Sequence, residues 1–209
     1  MIFTYFQQGG PVMYFLLLAS IIALTVFIER FIYLGNVKKN AKLVTEKMRE
    51  KLMGSRIDEA IAICDNNPGP ASSIIKAGLL VNTKTRSEIE QAMEDAGKFE
   101  MPKLYKNIPV LSTIASISTL LGLLGTVIGM IMSSTVLSTQ GMTNPSKLIG
   151  GIAMALVATA AGLIVAIPSL VAYNYINAKT DKVISDLEII STEFIKLLKK
   201  DKESNLRNW

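Results

Sequence analysis

One long uncharged stretch constrains this sequence more than any other feature. From Asn107 to Ala178 it carries a single charged residue, Lys147, in 72 positions. That lysine lies between two apolar runs, each longer than the ~20 residues that a helix needs to cross a bilayer. Charges and unpaired backbone groups are costly in hydrocarbon, so runs of this kind are stable in a membrane as helices. The stretch therefore predicts a transmembrane helical hairpin.

A third apolar run, Pro11 to Ile28, contains 18 residues without a charge. At ~1.5 Å per residue it is roughly 27 Å long, close to the thickness of the hydrocarbon core. Gly9-Gly10-Pro11 suits a helix start, and Glu29-Arg30 marks the interface. A cleaved signal peptide is the alternative, but residues 1–28 hold no Lys or Arg for its basic segment. This run is therefore predicted to be the first of three spans.

The three runs predict an all-α integral membrane protein with three transmembrane helices. The second and third are long and extend into the cytoplasm, which also holds a helical domain. Basic residues cluster in two blocks, with 13 Lys/Arg in residues 35–106 and seven in residues 179–209, and this places both blocks in the cytoplasm and the N-terminus in the periplasm. The predicted parts are the N-terminal segment with the first span (1–34), the cytoplasmic domain (35–106), the second span (107–137), a periplasmic link (138–147), the third span (148–178) and a cytoplasmic helical tail (179–209).

Helix signals divide the cytoplasmic domain. Ser55 is a candidate N-cap for a helix with Ile57, Ala60, Ile61 and Cys64 at helical spacing, and the Asn66–Pro70 turn breaks it. A second helix is predicted over 71–82. Thr85 or Ser87 caps a third, with Glu88 or Glu90 three residues later. In the tail, a heptad-like seam of apolar residues indicates helix packing, formed by Val183, Leu187, Ile190, Phe194 and Leu197.

Small residues recur every three or four positions on the second and third spans. Such stripes allow the backbones of membrane helices to approach closely, and they predict packing against a partner helix or around a pore. On the second span the stripe is Ser118, Gly122, Gly125, Gly129 and Ser133; on the third it is Gly151, Ala155, Ala158, Gly162 and Ser169.

Threonines are the other polar groups of interest in these spans. Thr126 shares a helix face with Thr119, and Thr159 lies midway along the third span. A membrane threonine can bond its hydroxyl to the carbonyl four residues back, so a purely structural role stays open for each. Pro168 removes a backbone hydrogen bond to Ile164 and is predicted to kink the third helix.

The two spans together resemble the MotA/TolQ/ExbB proton-channel family, and within it the ExbB/TolQ branch. The second-span likeness is the run Leu120–Met130 (LLGLLGTVIGM). The third-span likeness is Gly151–Leu163 (GIAMALVATAAGL) with Ala166-Ile167-Pro168 and Ala172-Tyr173-Asn174. Glu29-Arg30 at the end of the first span and the Asn-Pro break are similar too. The resemblance covers nearly the whole chain.

The resemblance implies a subunit of the bacterial inner membrane that forms a homo-oligomer, a pentamer, around a dimer of a single-span ExbD- or TolR-like protein. Membrane lipids surround it, and no nucleic acid is implied. Ions crossing at the interface drive work on periplasmic or outer-membrane processes such as TonB-dependent transport. Thr126 and Thr159 match the ion-path threonines of the family. Residues implied in pore or partner-helix packing are Ser118, Gly122, Gly125, Gly129, Met154, Ala155, Gly162 and Pro168.

Met154 departs from the family pattern. ExbB proteins often carry a glutamate at this position, so the role of that acid does not transfer to this chain. The second and third spans contain no carboxylate at all, and a proton relay normally needs one. The titrating acid is therefore expected on a partner, as an aspartate in its single span.

Other functional classes fit the sequence less well. Histidine is absent, and no nucleophile–base pair is evident, so an enzyme is not expected, nor is a cofactor or metal site. Three spans offer no inverted repeat for a secondary transporter. The main alternative is a passive membrane scaffold that anchors a partner complex and conducts nothing. The process that is powered and the choice between proton and sodium stay open.

Overall fold

The computed structural model describes residues 9–52, 56–82, 85–140 and 145–207, and in these ranges it contains helices without strands. Three of the helices are long and apolar enough to cross a membrane, which confirms the predicted all-α membrane protein with three spans. The helices are α1 (Val12–Leu52), α2 (Ile57–Asn66), α3 (Pro70–Leu80), α4 (Arg86–Tyr105), α5 (Ile108–Gln140) and α6 (Pro145–Arg207).

The chain forms two compact units. Unit 1 holds the chain up to Arg30 and from Asn107 to Ile176, and unit 2 holds Phe31 to Lys106 and Asn177 onward. Helices α1 and α6 contribute to both units because each runs without a break past its predicted span. Helix α6 also continues through Pro168. At the predicted periplasmic link, α5 extends to Gln140 and α6 begins at Pro145, so both ends of that link are helical.

Unit 1 is a packing of the apolar parts of α1, α5 and α6. A core cluster joins Ala23 of α1 to Leu111 and Ile114 of α5, and Val165 and Tyr173 of α6 pack against it. Many large apolar side chains of this unit are nevertheless exposed; Ile164, for example, is 71% exposed. A surface of this kind is stable when lipid or another subunit covers it.

Side chains of unit 2 hold the turn that separates α2 from α3. The side chain of Asn40, on α1, donates a hydrogen bond to the carbonyl oxygen of Pro68 at 2.8 Å. Ser72, near the start of α3, donates to the carbonyl oxygen of Asn67. Because both contacts satisfy carbonyl groups that the turn leaves outside a helix, they hold the predicted Asn66–Pro70 break in place.

The cap predictions have different outcomes. Thr85 caps α4, because its hydroxyl accepts from the Glu88 backbone N–H while the Glu88 carboxylate accepts from the Thr85 N–H. This is the capping box that the Thr-x-x-Glu spacing predicts. Helix α2 begins at Ile57, and its predicted cap, Ser55, lies outside the described residues.

The tail of α6 packs into unit 2 through the predicted heptad-like seam. Val183, Leu187 and Phe194 are each at most 5% exposed. Two ion pairs add to this packing: Lys38 with Asp186 at 3.5 Å, and Arg49 with Glu193 at 2.6 Å. Pairs this exposed stabilise little, so the apolar seam supplies most of the free energy that holds α6 against α1.

Cys64 offers a probe of this unit. It is 3% exposed, and burial raises the pKa of its thiol to about 11. Because the thiolate is the reactive form, labelling by a maleimide at pH 8 requires the unit to open. We expect Asn40→Ala to raise the labelling rate of Cys64 about fivefold, since the lost hydrogen bond to Pro68 is worth ~1 kcal/mol.

The control for this prediction is Asn36→Ala. Asn36 is exposed and lies about one turn before Asn40 on the same helix, so its loss is expected to leave the labelling rate unchanged. Equal rates in Asn40→Ala and the parent protein would show that the turn does not depend on the Asn40 contact.

Candidate functional site

Close packing of α5 on α6 is the central feature of unit 1. A Cβ atom added to Gly162 would fall 2.7 Å from the carbonyl oxygen of Ser118 and 2.9 Å from the Cα of Gly122. Farther along, one added to Gly151 would fall 2.7 Å from the carbonyl oxygen of Gly129. Real Cβ atoms do not approach backbone atoms this closely, so only glycine fits at these positions. The two predicted small-residue stripes therefore contact each other within one chain.

The contact continues through the other small residues of the two stripes. Gly125 packs directly on the side chain of Ala158, and an added Cβ at Gly129 would lie 2.9 Å from that of Ala155. Ser133 donates a hydrogen bond across to the carbonyl oxygen of Leu148 at 3.1 Å. We call this antiparallel contact of α5 and α6, from Ser118 to Ser133 and from Leu148 to Gly162, the glycine seam.

Thr159 lies at the glycine seam and is half-buried. Its hydroxyl oxygen is 3.1 Å from the carbonyl oxygen of Ala155, one turn back on its own helix, and 3.4 Å from that of Gly122 on α5. A hydroxyl has one proton to donate and two lone pairs, so it can direct the proton to either carbonyl and still accept a hydrogen bond. Thr159 is therefore a polar group that both helices share.

Thr126 is also half-buried, but its hydroxyl donates within its own helix, to the carbonyl oxygen of Leu123 at 2.6 Å. Thr126 directly follows Gly125, and Thr159 directly follows Ala158, which are contact partners in the glycine seam. The two threonines are thus brought to the same level of the seam. Their part in an ion path stays a prediction.

Ser118 has an unusual position. Its hydroxyl oxygen is fully buried and makes no hydrogen bond with any described group. A buried hydroxyl without a partner costs ~1–3 kcal/mol. The Ser118 carbonyl oxygen meets Gly162 of α6, which places the residue in the close contact of the two helices, but nothing in the described structure explains its hydroxyl.

Met154 packs against the start of α1. It is 9% exposed, and its Cε methyl occupies the space that a side chain at residue 10 would fill. Gly10 also has a φ of 69°, in the left-handed region that favours glycine. The sequence does not predict this contact, because the Gly9-Gly10-Pro11 pattern indicates only the start of a helix. Pro168, in contrast, is exposed on α6 and lies outside the glycine seam.

A polar cluster joins the middle of α1 to the start of α5 in unit 1. Arg30 is 4% exposed and donates to the Glu29 carboxylate at 2.8 Å. Asn107, which has a φ of 63°, donates to the other oxygen of the same carboxylate at 3.3 Å. The cluster fixes the first span to the second where both leave the apolar region, which gives the Glu29-Arg30 pair a structural role.

The chemistry of the glycine seam is limited to hydroxyls, carbonyls and apolar groups. The described parts of α5 and of α6 up to Ala178 contain no carboxylate, and their one charge, Lys147, lies near the start of α6. Among the described residues no group of three or more His, Cys, Asp or Glu side chains could hold a metal ion. Proton uptake by an acid at mid-membrane therefore requires a group from outside these segments.

Comparison with known proteins identifies the family of the chain. A sequence model of the MotA/TolQ/ExbB proton channel family matches residues 66–189. An ExbB-like biopolymer transport protein of Synechocystis is 35% identical over 172 residues, which cover 80% of this chain and 81% of that protein. The Tol-Pal system protein TolQ of Pseudomonas aeruginosa is 30% identical over 202 residues, 90% of this chain and 86% of TolQ.

An ExbB homologue of Methanothermobacter thermautotrophicus is 30% identical over 186 residues; these cover 88% of this chain but only 66% of that protein. The matched residues of the family model include α3, α4, α5 and most of α6, and so contain the whole glycine seam with Thr126 and Thr159. The chain belongs to the MotA/TolQ/ExbB proton channel family.

Proposed function

We propose that the chain is the multi-span subunit of an ion-driven motor in the bacterial cytoplasmic membrane. It works with a single-span ExbD- or TolR-like partner and converts the proton motive force into mechanical work on periplasmic or outer-membrane processes, such as TonB-dependent transport. Membership of the MotA/TolQ/ExbB proton channel family supports the part of the proposal that makes the chain a subunit of a proton channel. The distribution of basic residues supports a periplasmic N-terminus and a cytoplasmic C-terminus.

The observation that carries the proposal is the position of Thr159 in the glycine seam. Its hydroxyl lies within hydrogen-bond distance of a carbonyl on each of two helices, in a part of the membrane unit with no carboxylate of its own. A hydroxyl in this position can donate its proton to one of the carbonyls and accept a hydrogen bond from a water or from a protonated acid. It does so without itself ionising. The acid that binds and releases the proton is then the partner's membrane aspartate.

The exposed apolar surface of unit 1 also supports assembly of several copies of the chain. One chain offers three spans, whereas enclosing a partner dimer requires more helices. The exposed apolar side chains of unit 1 include Leu120, Leu156 and Ile164, each at least 63% exposed. We infer that some of these side chains pack against a neighbouring copy of the chain, and that five copies surround the partner dimer. Each proton that crosses a potential of 100 mV then supplies about 2.3 kcal/mol to the moving partner.

A specific observation favours the passive scaffold as the second candidate. Thr126 donates to Leu123, and Thr159 lies 3.1 Å from the Ala155 carbonyl oxygen. Bonds of this kind satisfy a hydroxyl without any ion. If they are the only role of the two threonines, the glycine seam serves packing alone, and the protein anchors a partner without conducting.

Reconstitution in vesicles tests the proposal. We expect the purified chain alone to be almost impermeable to protons, because an apolar lumen without a partner helix is dewetted or filled by lipid. Adding the single-span partner is expected to produce a proton flux under an imposed potential. The flux is expected to disappear when the partner's membrane aspartate is replaced by asparagine, which keeps the shape and removes the titrating group.

Two outcomes count against the motor. Substantial conductance of the chain alone would show that the partner's acid is unnecessary. A stable complex with the partner that supports no flux at any potential would favour the scaffold.

A further inference from the structure

Unit 2 contains a groove between α4 and the tail of α6, and α3 contributes to its wall. The volume of the groove is about 500 Å³. Its floor is apolar, because Met93 and Leu104 of α4 and Leu187 of α6 are buried along it. Ile74 of α3 and Ile184 of α6 also line it. A groove of this kind accommodates the apolar side chains on one face of a helix.

Acidic side chains stand among these apolar groups. The charged residues that line the groove are four glutamates and one lysine, an excess of three negative charges, although the formal net charge of the chain is +5. They are Glu90, Glu94, Glu100, Glu188 and Lys98. Glu94 pairs with Lys98 at 2.9 Å, whereas Glu188 is exposed and has no ion-pair partner among the described residues. The groove therefore favours a ligand with positive charge.

Two of these carboxylates are paired from outside the groove. Glu90 accepts from Arg86 at 2.7 Å, and Glu100 accepts from Lys103 at 2.6 Å. Both pairs lie within α4, and both basic side chains are more than half exposed. Exposed pairs contribute little free energy, and a carboxylate has lone pairs for a second donor. Glu100 is itself only 9% exposed, so a further basic partner would offset the loss of water when the groove is covered.

We propose that this groove, which we call the α4–α6 groove, binds the cytoplasmic segment of the single-span partner as a short amphipathic helix that carries Lys or Arg. The inference rests on the proposed function. A partner that crosses the membrane once and works in the periplasm leaves a short segment in the cytoplasm, and such segments are rich in Lys and Arg. Apolar residues on one face of that segment match the floor of the groove, and its basic residues match the glutamates.

The position of the groove along the chain suits this ligand. Leu104 lies two residues before Lys106, after which the chain enters unit 1, and Ile184 lies eight residues after Ile176, where the chain leaves unit 1. At ~1.5 Å per residue, eight residues of helix span roughly 12 Å. The groove therefore begins close to the spans along the chain, so a short partner segment suffices.

Photocrosslinking in the complex with the partner tests the proposal. The photoreactive residue benzoylphenylalanine replaces Thr192, which is exposed and lines the groove. We expect it to crosslink to the cytoplasmic segment of the partner, which mass spectrometry of the crosslinked peptides identifies. The matched control places the same residue at Lys47, which is exposed on α1 and does not line the groove. No crosslink to the partner is expected there.

Removal of charge provides a second measurement. The probe is a fluorescent peptide with the sequence of the partner's cytoplasmic segment, and its affinity for the full chain in detergent is measured by anisotropy. A partly exposed ion pair contributes up to about fivefold in affinity, so we expect Glu90→Gln/Glu188→Gln to weaken binding on the order of tenfold. The variant is also expected to reduce the salt dependence of binding. The control Glu46→Gln/Glu59→Gln alters exposed acids of α1 and α2 and is expected to bind like the parent.

Co-purification with the partner and proton flux separate this inference from the proposed function. If the partner co-purifies but position 192 crosslinks to it no more than position 47, the groove assignment is wrong and the motor stands. Crosslinks from position 192 to a second copy of the chain, or equal peptide affinity in Glu90→Gln/Glu188→Gln and the parent, would also overturn the assignment. A complex that crosslinks as expected but carries no proton flux would support the groove and contradict the motor. Failure to associate with any single-span protein would overturn both.

Discussion

The double variant Thr126→Val/Thr159→Val is expected to assemble normally and to lose at least about tenfold of its ion-driven activity. Valine matches threonine in volume, so the half-buried positions beside the glycine seam keep their shape. It removes the hydroxyls, and a hydrogen bond to a charged or desolvated group is worth ~1.5–3 kcal/mol, a factor of ten or more in rate. The activity is measured as energy-coupled growth of a strain complemented with the variant and its partner, beside an oligomer measurement in detergent.

The control for this variant is Thr113→Val/Thr135→Val. Both threonines are exposed on α5, and each donates to the carbonyl oxygen four residues back, at 3.0 and 2.9 Å. Their hydrogen bonds resemble that of Thr126. On α5, however, Thr113 lies before the glycine seam and Thr135 lies after it. We expect parent-like activity from the control. Parent-like activity from Thr126→Val/Thr159→Val would falsify the ion-path role and leave the passive scaffold.

Gly151→Ala is expected to destabilise the protein by ~1–3 kcal/mol, the usual cost of overpacking a filled interior. The added methyl would fall 2.7 Å from the carbonyl oxygen of Gly129 and 3.0 Å from the backbone nitrogen of Ser133. Because backbone atoms cannot give way as a flexible side chain can, α5 and α6 would have to separate. The measurement is the temperature at which the purified oligomer dissociates.

The neighbouring glycine provides the control. No heavy atom lies within 4 Å of a Cβ built on Gly150, and Gly150→Ala changes the same residue type on the same helix. It is expected to be neutral or slightly stabilising, since alanine favours the helix over glycine. Equal stability of Gly151→Ala and Gly150→Ala would show that the close approach of the two helices is not needed in the assembled protein.

Much of this architecture can be predicted from the sequence because a membrane limits the choices. Long uncharged runs have to be helices, which gives the three spans. The glycine and serine spacing predicts close helix packing, which the Gly129–Gly151 approach shows. Local signals also limit the α4 cap to Thr85 or Ser87, since a capping box involves only four consecutive residues, and the structure has it at Thr85.

Contacts between residues distant in the chain could not be predicted in the same way. The packing of Met154 against Gly10 depends on where the start of α1 lies beside α6, and no local pattern specifies that position. The sharing of Thr159 between two helices depends on the register of α5 against α6. The sequence does predict that the third span extends into the cytoplasm, and in the structure that span and the tail form one helix of 63 residues.

A map of the chain in complex with its single-span partner tests the ion-driven motor most directly. We predict that the partner's membrane carboxylate faces the hydroxyls of Thr126 and Thr159 across a wet gap, within ~6 Å, a distance that one bridging water spans. Threonines sealed against lipid-facing helices, or a partner helix on the outside of the oligomer, would contradict it.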